Sequence, residues 1–162
     1  MPRIEAPAVT FDDFVRARQV ELTKFGRALT GDEQRGADLV QDALVRVFPR
    51  WNRIRSDNPE GYVRRVMVNR NISIWRTLRR ERLTDEPPDA GVEDRVRDQA
   101  LWIALRKLPP RQRSVIALRY LADQSEAQTA ALMGCSVGTV KSQASAAMRT
   151  LRDLMEDPEE GR

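Results

Sequence analysis

The sequence predicts an all-α protein of two small helical domains joined by a flexible linker, the second containing a helix-turn-helix. Three observations predict it. Ala, Leu, Arg and Val dominate a chain with 6% aromatic residues, thin for a β-rich core. Apolar residues recur at three- and four-residue spacing in two blocks, 10–82 and 97–156, and strand alternation is missing from both. Between them, residues 83–96 carry Pro87, Pro88 and Gly91 among acids and show no helical period.

In the first block, Thr10 is placed to cap a helix, with Asp13 three residues on. Phe14, Ala17, Val20 (or Glu21), Phe25 and Leu29 make its predicted apolar stripe, and Thr30-Gly31-Asp32 breaks it. A second helix, about Asp32 to Trp51, puts Ala37, Val40, Ala43 or Leu44, Val47 and Phe48 on one face. Pro49 should end or kink that helix early. After a loop, Asn58 can cap a third helix, with Pro59 at its first position and Glu60 suiting the first-turn dipole. This helix, Pro59 to about Arg82, turns Val63, Val66, Met67 and Ile74 toward a core. Its other residues include Arg64, Arg65, Arg70, Arg76, Arg79, Arg80 and Arg82 against one acid, Glu81, near the C-terminus, interleaved with Asn69, Asn71, Ser73 and Trp75. Arginines neutralise phosphates while amides and an aromatic ring hydrogen-bond or stack on bases. Taken alone, such a face is equally well read as a solvated helix surface.

In the second block, Leu101, Leu105 and Leu108 share a face that Pro109-Pro110 ends, and Val115, Ile116, Leu118 and Leu121 follow on the next helix. The stretch Gln124 to Arg152 then reads as a helix-turn-helix. Ala130 is small where two helices cross. Gly134 supplies the positive φ of the turn, and Val140 packs the second helix back onto the first. Ser136 caps that second helix, and Thr139, Lys141, Ser142, Gln143, Ser145 and Arg149 lie along it within reach of a major groove. Met148, Leu151 and Met155 should pack inward.

Composition excludes several functions. The chain has 162 residues, a formal charge of +4 and no histidine, so the commonest general base and metal ligand is missing. One cysteine, Cys135, allows neither an internal disulfide nor a cysteine-based zinc site, and it reads as a small buried hydrophobe. No apolar run approaches ~18 residues, and the N-terminal segment lacks a signal-peptide core, which predicts a cytoplasmic protein without membrane insertion. The acidic pairs Asp12-Asp13 and Asp85-Glu86 read as a helix start and a linker rather than a Mg²⁺ site. With no phosphate-binding Gly loop and no convergent acids, no catalytic residue, metal or cofactor is expected.

The segment LPPRQRSVIALRYLADQSEAQTAALMGCSVGTVKSQASAAMRTLR resembles region 4 of bacterial sigma factors. GADLVQDALVRVFPRW followed by NPEGYVRRVMVNRNISIWR resembles region 2. Both in this order, with a short linker, resemble the extracytoplasmic-function (group 4) branch of the sigma-70 family. The resemblance implies a polymerase-docking surface on the helix carrying Asp38, Leu39, Gln41, Asp42 and Arg46, facing the clamp of the β′ subunit. It implies −10 capture by the loop Arg55 to Gly61 and the helix after it, with Arg55, Asn58, Arg64, Arg65, Asn69, Arg70, Trp75 and Arg76 as candidates. It implies that Val137 to Met148 reads the −35 element, the candidates there being Ser136, Thr139, Lys141, Ser142, Gln143, Ser145 and Arg149. Core RNA polymerase (β′ clamp and β flap), promoter DNA and an anti-sigma factor are the implied partners. The chain departs from its relatives at Ala146 and Ala147, where a basic residue often follows the KSQ-x-S run, and at Gln124, where Leu is common. The alternative function is an independent helix-turn-helix regulator. Such proteins usually dimerise to read two half-sites, and no heptad seam for a dimer is visible.

Overall fold

The computed structural model describes residues 8–81 and 96–156. Every described element is helical: α1 (Phe11–Thr30), α2 (Glu33–Val47), α3 (Trp51–Ile54), α4 (Pro59–Glu81), α5 (Val96–Lys107), α6 (Pro110–Ile116), α7 (Glu126–Met133) and α8 (Val137–Glu156). The expected linker lies outside the described residues except for Val96, which opens α5.

The first four helices follow their local signals. Thr10 accepts from the Asp13 amide at 3.2 Å and Asp32 from the Arg35 amide at 2.8 Å, so each cap satisfies an amide that has no helical partner. Gly31 ends α1 in the left-handed region at φ 74°. α1 and α2 thus form a helical hairpin. At its crossing Gly26 and Gly36 touch backbone to backbone: a Cβ on Gly36 would lie 2.6 Å from the Arg27 nitrogen. α2 stops at Val47, short of the expected Trp51, because Pro49 starts a 3₁₀ turn over Phe48–Arg50. α4 lies across this hairpin, burying Val63, Met67 and Val68.

The apolar stripes were partly out of register. Ala17 and Val20 of α1 face solvent, and Leu22, which the period skipped, is fully buried. Phe48, which its spacing places inward, is 61% exposed. The 3₁₀ turn rotates it off the α2 face, and its ring packs edge-on against Phe11, 5.0 Å between centroids. Ile74, Leu101, Leu121 and Met155 are likewise more exposed than their spacing predicted.

In the second unit, α5, α6 and α7 all pack on α8. Ala104, Leu105, Leu108, Ile116, Ala147 and Leu151 form one cluster, and Val115, Ala130 and Val140 form the core of the helix-turn-helix. A π-helical turn, Ala117–Leu121, carries α6 into the loop before α7. The two units also share a core, for Ala117, Leu118, Ala122 and Met133 join the cluster that holds Phe25, Leu29 and Met67.

Candidate nucleic-acid interface

The helix-turn-helix is assembled as its spacing predicts. Ser125 and Gln128 close a reciprocal capping box on α7. Gly134 ends α7 at φ 66°, and none of the described residues lies within 4 Å of where its Cβ would be, so backbone conformation is what requires glycine there. Ser136 caps α8 by accepting from the Thr139 amide at 3.1 Å, and its hydroxyl meets that of Thr139 at 2.9 Å. Val140 is fully buried, which fixes the rotation of α8. That rotation aligns Ser142, Ser145 and Arg149 in one exposed stripe, spaced i, i+3, i+7, flanked by exposed Lys141 and half-buried Gln143. The Ser142 hydroxyl donates to the Gly138 carbonyl at 3.0 Å. Lys141 Nζ lies 3.9 Å from Glu126 Oε2 on α7.

On α4 the structure sorts the expected −10 residues. Arg65, Asn69 and Arg76 are exposed and share a stripe spaced i, i+4, i+11. Asn58 does cap the helix, accepting from the Gly61 amide at 3.2 Å, with its own φ at 38°. Arg55 is exposed in the preceding loop. Arg64 is withdrawn: it bonds Glu60 at 2.6 Å and lies 5.7 Å over the Phe25 ring. The side chain of Trp75 lies outside the described residues.

The expected docking residues divide too. Asp38, Gln41 and Arg46 are exposed, but Leu39 is 3% exposed and belongs to the core, as its position one turn before Ala43 dictates. Asp42 joins the two expected surfaces, because one carboxylate oxygen meets Arg46 at 3.3 Å and Arg70 of α4 at 2.8 Å. Beside Arg46 a cavity of about 420 Å³ opens between Arg50, Tyr62, Val66, Asn69, Arg70 and Ser73. Arg50 donates to the Tyr62 hydroxyl at 3.0 Å across twelve residues, a pairing with no local sequence signal. Val45 and Phe48 are exposed and add apolar surface to the same helix and the turn after it, where the spacing had placed Phe48 inward. Among the described residues no cluster of three or more metal-ligating side chains occurs, and no helix is long and apolar enough to cross a membrane.

A capped recognition helix beside a second, basic helix defines a DNA-binding protein of the helix-turn-helix class. Comparison with known proteins narrows this. Residues 14–81 match sigma-70 region 2 and residues 98–151 match sigma-70, region 4. The chain is 40% identical over 152 residues to an RNA polymerase sigma-E factor of Streptomyces avermitilis, spanning 90% of this chain and 85% of that one. It is 37% identical to the sigma-E factor of Streptomyces coelicolor, over 88% of this chain and 84% of that one. The fold is shared with the sigma factor RpoE of Bartonella quintana, solved in complex with the anti-sigma factor NepR. There the TM-score is 0.68 at 24% identity, covering 90% of this chain and 98% of that one. The chain belongs to the sigma-70 family, in its extracytoplasmic-function branch. It directs promoter-specific transcription initiation with core RNA polymerase, and the independent-regulator alternative is not favoured.

Proposed function

We propose that α4 captures melted −10 DNA through Arg65, Asn69 and Arg76, and that α8 reads the −35 element through Lys141, Ser142, Gln143, Ser145 and Arg149. The observation that carries this is the division of α4: Val63, Met67 and Val68 are buried in the core, while Arg65, Asn69 and Arg76 stand together in solvent. Guanidinium groups along the stripe attract the displaced strand, and an exposed amide can pair with a base edge. A base lifted from the stack gains contacts that offset part of the lost stacking, so the duplex opens by binding energy without catalysis. Asp38, Gln41, Asp42 and Arg46 form the polymerase-docking face, extended by Val45 and Phe48. Leu39 supports that face from beneath. The protein works in the cytoplasm, where polymerase and promoters are. The structural relative was solved with NepR, and another of similar fold, CnrH, with the cytosolic domain of CnrY; an anti-sigma factor is therefore a partner to seek for this chain.

Run-off transcription from a pool of random promoters, with core polymerase and with or without the protein, tests the reading. Initiation requiring both components is expected, and the enriched sequences give both elements. Asn69→Ala should then slow open-complex formation more than closed-complex binding. Equal loss in both steps overturns the −10 role.

A further inference from the structure

From residue 126 to residue 148 the helix-turn-helix carries two charged side chains, Glu126 and Lys141. The fold brings them together. Ala130 of α7 shares a buried cluster with Val140 of α8 and Val115 of α6. Glu126 lies one turn before Ala130 on the same face of α7, and Lys141 follows Val140 directly. Lys141 Nζ therefore stands 3.9 Å from Glu126 Oε2, within ion-pair range although too far for a hydrogen bond. The two partners are unequally placed. The lysine side chain is 67% exposed and flanks the stripe of Ser142, Ser145 and Arg149. Glu126 Oε2 is shielded from solvent, and among the described residues it accepts no hydrogen bond. A carboxylate oxygen that water does not reach attracts a cation more strongly than an exposed one, because less solvent screens the pair. Ser125 and Gln128 make the capping box of α7 between themselves, so Glu126 is not needed for it.

We propose that Glu126 is a specificity-determining residue of the −35 reader: it cancels the charge of Lys141 and so denies the recognition motif a phosphate contact at unmatched sequences. This rests on the reading of α8 as the −35 helix. Affinity without sequence preference comes from cations that displace counterions from phosphates. An unpaired lysine at this position could swing to the backbone of any duplex, because its four-carbon stem is flexible. Held by Glu126, it has to give up the carboxylate to do so, and the same carboxylate repels a phosphate that approaches. A matched site changes the balance. The ammonium has three N–H donors, and an ion pair without a hydrogen bond leaves them able to reach acceptors on a base edge, such as guanine O6 and N7. Ser142, Gln143 and Ser145 are neutral, so they add hydrogen bonds at matching bases and no attraction elsewhere. The next cation on α8 is Arg149, about 12 Å further along the helix axis. The first turns of α8 are thus electrically balanced, and they discriminate by base contacts alone.

Closed-complex binding by the polymerase holoenzyme, measured over a salt series, tests the assignment on two labelled duplex promoters. One carries the −35 element selected from the random pool, and the other has that element scrambled. Glu126→Gln keeps the shape of the side chain and removes its charge. It should bind the scrambled promoter about fivefold more tightly than the wild type at about 0.15 M salt, the gain from one phosphate contact, and should steepen the slope of log K against log salt there by about 0.9. The selected promoter should gain less, so discrimination falls. Glu126→Asp, which keeps the charge, should hold the wild-type slope, and the steepening should vanish in a Lys141→Ala background. Equal loss on both promoters by Glu126→Gln, with an unchanged slope, leaves the carboxylate only its place at the helix dipole and overturns the proposal. Steepening by Glu126→Asp as much as by Glu126→Gln ascribes the effect to packing and overturns it too. Lys141→Ala by itself tests the α8 reading. If it binds both promoters as the wild type does, the −35 role of Lys141 fails and that of Glu126 with it. If it loses affinity equally on both, the wild-type lysine already contacts phosphate and the role of Glu126 falls. If it loses discrimination while Glu126→Gln changes neither ratio nor slope, the α8 reading stands and the proposal alone is overturned.

Discussion

Gly36→Ala is expected to destabilise the protein by about 2 kcal/mol, against the direction helix propensity predicts. In isolation the substitution favours α2 by ~1 kcal/mol, since alanine loses less backbone entropy than glycine. The crossing with α1 reverses the sign. The new Cβ would lie 2.6 Å from the Arg27 nitrogen, 2.8 Å from the Gly26 carbonyl carbon and 2.9 Å from the Arg27 Cα. Ordinary carbon contacts are ~3.5–4.0 Å, so α1 and α2 must part by about 1 Å. All three neighbours are backbone, and no rotamer change relieves the overlap. Parting the helices loosens Leu22, Phe25 and Leu29 against Leu39, Val40 and Ala43, which share the same core cluster. Overpacking costs ~1–3 kcal/mol, and a clash of backbone with backbone belongs at the top of that range. Subtracting the propensity gain leaves ~2 kcal/mol. For a chain of this size that corresponds to a fall in Tm of about 4–8 °C. Gly138→Ala is the control. Among the described residues its Cβ would meet only Ser136 Oγ, at 3.8 Å, so propensity dominates and stability should hold or rise by up to ~1 kcal/mol. Urea denaturation followed by circular dichroism at 222 nm measures both. A Gly36→Ala protein as stable as the wild type would refute the reasoning, because the helices would then be shown to part without cost.

Thr129 is fully buried on α7 and among the described residues its hydroxyl has no hydrogen-bond partner, so Thr129→Val should raise stability by ~1 kcal/mol; a loss in the same urea titration would mean the hydroxyl is satisfied. Lys141→Ala and Gln143→Ala should each weaken −35 selection by ~1–3 kcal/mol where a base edge is read, seen as loss of discrimination between wild-type and mutated −35 promoters; equal loss on both promoters would assign them to phosphates. Asp42→Ala should lower affinity for core polymerase and leave the fold intact, since its partners Arg46 and Arg70 are both part-exposed; unchanged affinity in a pull-down with core enzyme would remove it from the docking face.

Much of this architecture is local chemistry and was legible in the chain. Thr10, Asn58 and Ser136 supply the side-chain caps expected of them, and Gly31 and Gly134 adopt the left-handed conformation at the breaks. Pro49 ends α2 where proline must. Ala130, Gly134 and Val140 build the helix-turn-helix from contacts within eleven residues, which is why that motif could be read without coordinates. The candidate surfaces were legible only as sets of residues. Periodicity says which residues share a face, yet Leu39 lies next to Asp38 and only the packing of α2 decides which of the two reaches solvent. Arg64 and Arg65 are the same residue type side by side, and the position of Glu60 and Phe25 withdraws one and leaves the other free.

By itself, the sequence determined the long helices, most of their caps, the recognition motif and the family, because capping, backbone conformation and spacing are set by residues a turn or two apart. The tertiary structure decided everything that depends on two distant segments meeting. Gly26 and Gly36 permit the α1–α2 crossing, Asp42 ties Arg46 to Arg70, and Arg113 reaches the carbonyl of Leu29 across 84 residues. Such contacts leave no periodic trace in the chain, since each is specified by the geometry of packed helices rather than by the order of neighbouring residues.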